Sequence, residues 1–359
     1  MTRVRIECPA VLVLVVLVVL VVLVVLVASC QPVFSDDDAR VTSRQVTQLV
    51  SERGGRVVTT RGADGKPSVA LELGGAEVSD SDLKRLVAMP GLTRLDLSAS
   101  LITDAGLKHL ASLETLEALD LSRTRVSDAG LDNLKLLSSL RSLRVGFTRV
   151  RGRGLKPLKS LESLGLDGAQ VTDATLGHVA SLTSLKSLTL NLSRITDDGL
   201  SRLARLENLE TLSLCGTRVG DPGMGHLLRF ERLTRLELSG TRVGDVGMSA
   251  VGRMSSLVTL HLDRTRVGDA GVRRLSGLER LEVLGLAATR ISDASAQTLA
   301  GLPRLQDLSL STTRISDAGL ETLREAPRLR NVELTLTATT RIGRLGLSRS
   351  RSLTRDGEP

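Results

Sequence analysis

Aromatic side chains are almost missing from this sequence: among 359 residues there is no Trp, no Tyr and only three Phe. A single large core normally draws on aromatics to fill irregular volume, so their scarcity argues for many small, similar cores. Three cysteines and four histidines are too few for a disulfide framework or a zinc cluster. No glycine-rich phosphate loop is present. Charge of one sign does not dominate either: 48 Lys and Arg stand against 40 Asp and Glu, a net +8, and the signs are interspersed. What abounds is leucine, 70 residues or about one in five.

The leucines are periodic. Taking the first residue of each Leu-x-Leu pair as position 0, zeros fall at 71, 95, 119, 143, 164, 188, 212, 236, 260, 284, 308 and 332, the last being Val332. Ten of the eleven intervals are 24 residues and one is 21, a register that specifies a solenoid. Positions 0 and +2 are apolar with polar neighbours, as in Leu119 and Leu121, which is strand periodicity. Position +7 is Val or Ile in all eleven complete repeats, and +9 is Asp in ten of them: Asp80, Asp104, Asp128, Asp173, Asp197, Asp221, Asp245, Asp269, Asp293 and Asp317. Apolar residues return at +12, +15, +18 and +21. Each repeat is therefore expected to be a strand, a tight turn and a helix of two to three turns, with the Asp as helix N-cap. Alone it cannot bury its apolar face; stacked, it adds one slice to a continuous core.

This pattern resembles the leucine-rich repeat family over roughly residues 69–335, about three quarters of the chain. The family's Leu-x-x-Leu-x-Leu-x-x-Asn stands here as Leu233-Thr-Arg-Leu-Glu-Leu-Ser-Gly-Thr241, with Thr or Ser replacing the asparagine in nine of eleven repeats. The hydroxyl is expected to make part of the same buried ladder to neighbouring backbone. The Thr-Arg-Val-x-Asp-x-Gly-Leu unit is similar to bacterial repeats of envelope or surface proteins. The resemblance implies an α/β solenoid, with a curved parallel sheet on the concave side and short helices on the convex side, that binds a partner protein, usually across the sheet.

Before the repeats, Arg3 and Arg5 precede an unbroken Val/Leu run from Val11 to Val27, an export or membrane signal. The run ends in Val27-Ala28-Ser29-Cys30, which resembles the bacterial lipoprotein box and implies cleavage and acylation at Cys30. An uncleaved helix and an ordinary secretory signal are the alternatives. On the lipoprotein reading Cys8 is discarded and Cys215 is left as the one free thiol. The domains expected are a signal peptide at 1–29, a tether at 30–40, an N-terminal cap of helix and strand at 41–68, the repeats at 69–335, and a degenerate C-terminal cap with a basic tail at 336–359. The cap serves a need of any open solenoid, whose first repeat would otherwise expose a sheet edge.

Catalytic chemistry finds little support. His109, His178 and His226 all occupy +14 but in repeats that do not adjoin, so they cannot share a metal; His261 at +1 stands alone on the sheet face. Cys215 at +3 has no histidine beside it in register. No enzyme activity, cofactor or metal is expected. The column that stands out is +6, which is Arg in eight of eleven repeats: Arg125, Arg149, Arg194, Arg218, Arg242, Arg266, Arg290 and Arg314, the last six consecutive. Stacked at roughly 5 Å, neighbouring guanidinium groups repel by roughly 1 kcal/mol per pair in water. Two readings stand: a structural ladder in which the Asp column offsets this charge, or a basic edge for an acidic protein or polymer. The 21-residue repeat from Leu143 has Gly152 where the Asp belongs and gathers Arg149, Arg151, Arg153, Lys156 and Lys159 beside Phe147; it is either a neutral deletion or a docking knob. Nucleic acid is a poor partner, because stacking aromatics are missing. The function expected is a lipid-anchored, non-enzymatic protein-binding module of the bacterial cell envelope, held to the membrane by its N-terminal lipid or by an uncleaved helix. A passive envelope scaffold or an accessory subunit regulating a membrane enzyme are the alternatives.

Overall fold

The computed structural model describes residues 36–61, 65, 67–168 and 170–340. Cys8, the Val/Leu run, Cys30 and the tail from Arg341 lie outside the described residues. Residues 1–45 and 46–359 form separate compact units. Of the first, the described part is the opening of helix α1 (Asp36–Glu52), which includes residues of the stretch expected to be a tether. In the second unit Val46, Leu49 and Val50 of α1 are buried in the main core.

Thirteen strands form one open sheet in strict chain order. Strand β1 (Arg56–Arg61) pairs antiparallel with β2 (Pro67–Glu72), and every later pair is parallel. After β3 (Leu92–Asp96) come ten three-residue strands, β4 (Ala118–Asp120), β5 (Ser142–Arg144), β6 (Ser163–Gly165), β7 (Ser187–Thr189), β8 (Thr211–Ser213), β9 (Arg235–Glu237), β10 (Thr259–His261), β11 (Val283–Gly285), β12 (Asp307–Ser309) and β13 (Asn331–Glu333). Position 0 pairs with position 0 throughout, including Leu143 with Leu164 across the short repeat. The three missing residues are therefore absorbed on the helical side, where a 3-10 turn (Arg153–Leu155) replaces a helix. The residues at 0, +2 and +7 are buried along the whole array and join one continuous core.

The aspartates do not play the part expected of them. In most repeats with a helix or 3-10 turn at this point the N-cap is residue +8, such as Ser79, Ser127, Thr196, Gly220 or Ser316, and the Asp follows it as the first helical residue. Its carboxylate reaches instead to the next repeat. Asp80 accepts from the Thr103 amide (2.9 Å) and hydroxyl (2.6 Å), Asp104 likewise from Ser127 (2.7 and 2.6 Å), and Asp245 from the amides of Gly268 (2.7 Å) and Gly271 (2.9 Å). The same bond recurs from Asp173 to Thr196, Asp197 to Gly220, Asp221 to Gly244, Asp269 to Ser292, Asp293 to Ser316 and Asp317 to Thr340. Asp128 takes three amides, of Arg151, Gly152 and Gly154. A carboxylate that satisfies the orphan donors opening the following helix fastens the repeats together on the side away from the sheet.

That staple dictates another column. At +11 a Cβ on Gly106, Gly130, Gly199, Gly223, Gly247, Gly271 or Gly319 would collide with the carboxylate of the preceding repeat. Where Ser295 occupies this place, its hydroxyl donates to Asp269. The one repeat that follows a missing Asp carries Thr175 there, and a Cβ on Gly152 would lie 2.9 Å from the Thr175 methyl. Loss of the Asp and gain of the side chain are the two halves of one steric exchange. The repeat helices run four to seven residues, so the longest reach about the two turns expected and the others fall short.

Two further columns shape the turn after each strand. The +5 hydroxyls of Thr124, Thr148, Thr241, Thr265, Thr289 and Thr313 are buried and donate at 2.6 Å to the carbonyl three residues back. They close their own turn rather than bridging to a neighbour, as the family asparagine was expected to be imitated. Position +4 is left-handed in all twelve repeats, with φ from +53 to +113°, although eight of the twelve residues are not glycine. Each such residue costs roughly 1–2 kcal/mol, offset by its amide bonding to the next repeat, as from Phe147 to the Asp167 carbonyl (2.7 Å) and from Leu192 to that of Cys215 (2.8 Å).

Two outcomes follow for stability. Leu238→Asp places an unpaired charge in a fully buried site and is expected to unfold the neighbouring repeats, seen as loss of the far-ultraviolet circular dichroism signal. Gly271→Ala is expected to cost roughly 1–3 kcal/mol by overpacking and Asp245→Ala a similar roughly 1–3 kcal/mol by orphaning two amides. In the double variant the clash with the carboxylate is gone, and only the milder contacts with Met248 and Val267 remain, so urea unfolding is expected to show less than the sum of the two.

Candidate functional site

The turn that follows each strand carries the +6 arginines outward. All eight are exposed. Their amides are fixed to the +7 carbonyl of the preceding repeat, as Arg218 to Ile195 (2.9 Å), Arg242 to Val219 (2.8 Å) and Arg266 to Val243 (2.9 Å). Short parallel bridges hold the same backbone at Arg149, Arg266, Arg290 and Arg314. None of the eight side chains makes an ion pair or hydrogen bond among the described residues. The aspartates three residues on are already occupied by amides and hydroxyls of the following repeat. Among the described residues no +6 arginine lies within ion-pair distance of the Asp column, so the two columns are not joined by direct contacts. Like charges in register repel one another.

Beside this basic edge the sheet face is acidic. Positions −1, +1 and +3 hold Glu72, Asp96, Asp120, Asp167, Glu237, Asp263, Asp307 and Glu333 against Arg94, Arg144 and Arg235. One depression of about 580 Å³ is lined by Arg94, Asp96, Asp120 and Arg144, and another of about 560 Å³ by His261, Asp263, Gly285, Asp307 and Glu333. Between them a hydrogen-bonded chain crosses the strands: the Ser213 hydroxyl contacts the Asn191 side-chain oxygen (2.6 Å) and Glu237 (2.7 Å), and Arg235 donates to Glu237 at 2.8 Å. Burial pushes the Glu237 carboxyl up, but the bonds from Ser213 and Arg235 outweigh it and hold the group below its ordinary value. Asp263 is likewise raised by burial and lowered more by His261, the Ala287 amide and Ser239.

The side chains considered for catalysis are not assembled. His109, His178 and His226 lie half-buried on the helical side in separate repeats, and the described residues contain no group of three metal-ligating side chains. His261 sits 3.6 Å from Asp263 with no nucleophile in the pair. Burial raises the pKa of the Cys215 thiol and the Glu237 charge adds to it, the reverse of what an activated thiolate requires.

The +4 column escaped the sequence reading, which singled out Phe147 alone, beside the short repeat's basic cluster. Phe147 and Leu192, both left-handed at +4, are exposed on the same edge as the arginines, and the Arg123 guanidinium lies 5.5 Å from the centre of the Phe147 ring. The signal was the shared column, which the mixed residue types at +4 disguised.

Sheet, staples and repeat register define a leucine-rich repeat solenoid, and comparison with known proteins agrees. Leucine-rich repeat family profiles match residues 255–315 and residues 112–135, 181–204 and 233–252. Among solved structures it is similar to an internalin from Listeria monocytogenes, at 20% identity and a TM-score of 0.61 over 88% of this chain and 95% of that one. It is also similar to a leucine-rich repeat protein of Leptospira interrogans, at 16% identity and a TM-score of 0.51 over 76% and 80%. No curated protein sequence matches it. Among the described residues no helix is long and apolar enough to cross a membrane.

The Asp269 staple is expected to make the fold acid-sensitive. Burial raises Asp269, but bonds from Ser295 and from the Ser292 amide and hydroxyl lower it more, leaving it below the usual range. A carboxyl depressed on folding stabilises the native state fully above its unfolded pKa, about 3.9, and loses that contribution as pH falls through the lower folded value. Urea midpoints measured against pH are expected to drop on acidification below about pH 4, and Asp269→Asn, less stable at neutral pH, is expected to show a shallower acid limb.

Proposed function

We propose that this chain is an exported, lipid-anchored, non-enzymatic binding module of a bacterial envelope, in which the leucine-rich repeats hold a partner macromolecule and the arginine edge contacts its anionic groups. The observation that carries this reading is the run from Arg194 to Arg314, six consecutive repeats in which an exposed arginine makes no ion pair or side-chain hydrogen bond among the described residues. A charge repeated without such a contact is a candidate for selection by something outside the molecule. The separation of a basic edge from an acidic sheet face supports it, because complementary potentials steer association and fix orientation. Leucine-rich repeats serve as protein-interaction scaffolds, and the sheet face with its two depressions is the surface left for a second, protein partner. Export and anchoring rest on the Val/Leu run and Cys30, where acylation adds one membrane-binding element to the chain.

Replacing Arg218, Arg242 and Arg266 together by alanine is expected to leave the urea midpoint unchanged while retention of the full chain on a polyglutamate resin falls at least tenfold. The binding that remains is expected to depend less on salt. A lower midpoint with unchanged retention per folded molecule would return the arginines to a structural role. For the anchor, mass spectrometry of the purified chain is expected to find a lipid-modified N-terminal Cys30, and Cys30→Ser to accumulate as uncleaved precursor; an intact wild-type chain retaining Met1 would replace the lipid by a spanning helix.

A further inference from the structure

The edge that carries the arginines also carries most of the exposed apolar side chains. Among the described residues six large hydrophobics are exposed: Leu101, Leu136, Phe147, Leu192, Val246 and Leu336. Four of them, Leu101, Phe147, Leu192 and Leu336, fall in the +4 and +6 columns. The same two columns hold ten arginines, since Arg123 and Arg264 occupy +4, and a single acid, Glu77. The short repeat thickens the edge with Arg151 and Arg153, and its missing Asp leaves no carboxylate at Gly152.

The apolar tips of Phe147 and Leu192 lie outside the hydrophobic core. Phe147 is 48% exposed and Leu192 60%, each held outward by a left-handed backbone and leaning over a glycine of the next repeat, Gly168 and Gly216. The Phe147 ring has Arg123 against it. A stripe of guanidinium groups interleaved with bare Leu and Phe is the chemistry of an interfacial membrane surface, where basic groups meet anionic headgroups and apolar tips enter the acyl boundary.

An acidic protein is the other anionic surface this edge could meet, but two features favour lipid. Protein hot spots cluster aromatic and arginine anchors near one centre; here Phe147 and Leu192 stand two repeats apart and Leu101 and Leu336 toward either end. The charge is instead delivered in eight of nine successive repeats, Gln170 being the one interruption, uniform enough for a fluid surface whose headgroups rearrange to meet it. A chain tethered to the bilayer near Cys30 meets that surface as an intramolecular event at high effective concentration.

We infer that the arginine edge lies against a bilayer of anionic phospholipid, with Phe147 and Leu192 entering the headgroup layer and the acidic sheet face directed to a protein partner. This rests on the proposed reading of the edge as an anionic contact and names its partner. Because the chain has no Trp, Phe147→Trp supplies a unique reporter. The full chain carrying it is reconstituted into vesicles of phosphatidylcholine alone or with phosphatidylglycerol. Only the anionic vesicles are expected to shift the emission to the blue and to quench it when the lipid is brominated, and high salt to reverse both effects. Adding Arg149→Glu, Arg194→Glu and Arg218→Glu is expected to abolish the shift with the circular dichroism melting point retained; Leu192→Trp is the second reporter should the first perturb the turn. Identical emission from both reporters in neutral and anionic vesicles would overturn the membrane assignment. If polyglutamate binding still depended on the arginines, the edge would serve an acidic protein; if that also failed, the anionic-contact reading itself would fall.

Discussion

One carboxylate per repeat, accepting from backbone 23 residues further along the chain, is the constraint around which the rest of this solenoid is arranged. Leucine packing supplies the bulk of the driving force, but it is non-directional and tolerates sliding. The Asp bond is directional. It fixes where the next helix opens, supplies an acceptor to donors that have none inside a short helix, and so sets the register on the side where no sheet does so. Glycine at +11 follows, because the carboxylate occupies the space a side chain would take.

The charge pattern of the surface is a consequence. With the aspartates bonded to backbone of the next repeat, the arginines three residues earlier make no ion pair among the described residues, and they are exposed along the whole edge. The acids of the sheet face are partly neutralised by their own bonds, Glu237 with Ser213 and Arg235, Asp263 with His261 and Ser239. The molecule therefore presents two chemically different surfaces side by side, from a repeat that looks uniform.

Much of this was legible in the sequence, and the limits are physical. The 24-residue period placed the strands from β2 to β13 and the buried positions at 0, +2 and +7, because a fixed period can be satisfied only by stacking. It also placed the short repeat correctly, though not that its deletion leaves the Leu143 to Leu164 pairing intact. The Asp column was visible but assigned to its own helix, since an acid before an apolar run is the local signature of a cap and a partner one repeat away leaves no local trace. The Thr175 and Gly152 pair held that information in coupled form, readable once the steric contact is known. The left-handed +4 column was hidden because only four of its twelve residues are glycine, the backbone being held by bonds to the next strand rather than by residue preference.

The central claim is that Asp and Arg columns adjacent in sequence are energetically separate, one serving the fold and the other free for a partner. A double-mutant cycle between Arg242 and Asp245, read as urea unfolding free energy of Arg242→Ala, Asp245→Asn and the combination, tests it most directly. Two independent columns predict additivity within about 0.3–0.5 kcal/mol, the scatter of non-interacting sites. A coupling of about 1 kcal/mol or more, of the size of a well-formed ion pair, would show that the arginines are spent on the aspartates and would contradict the account.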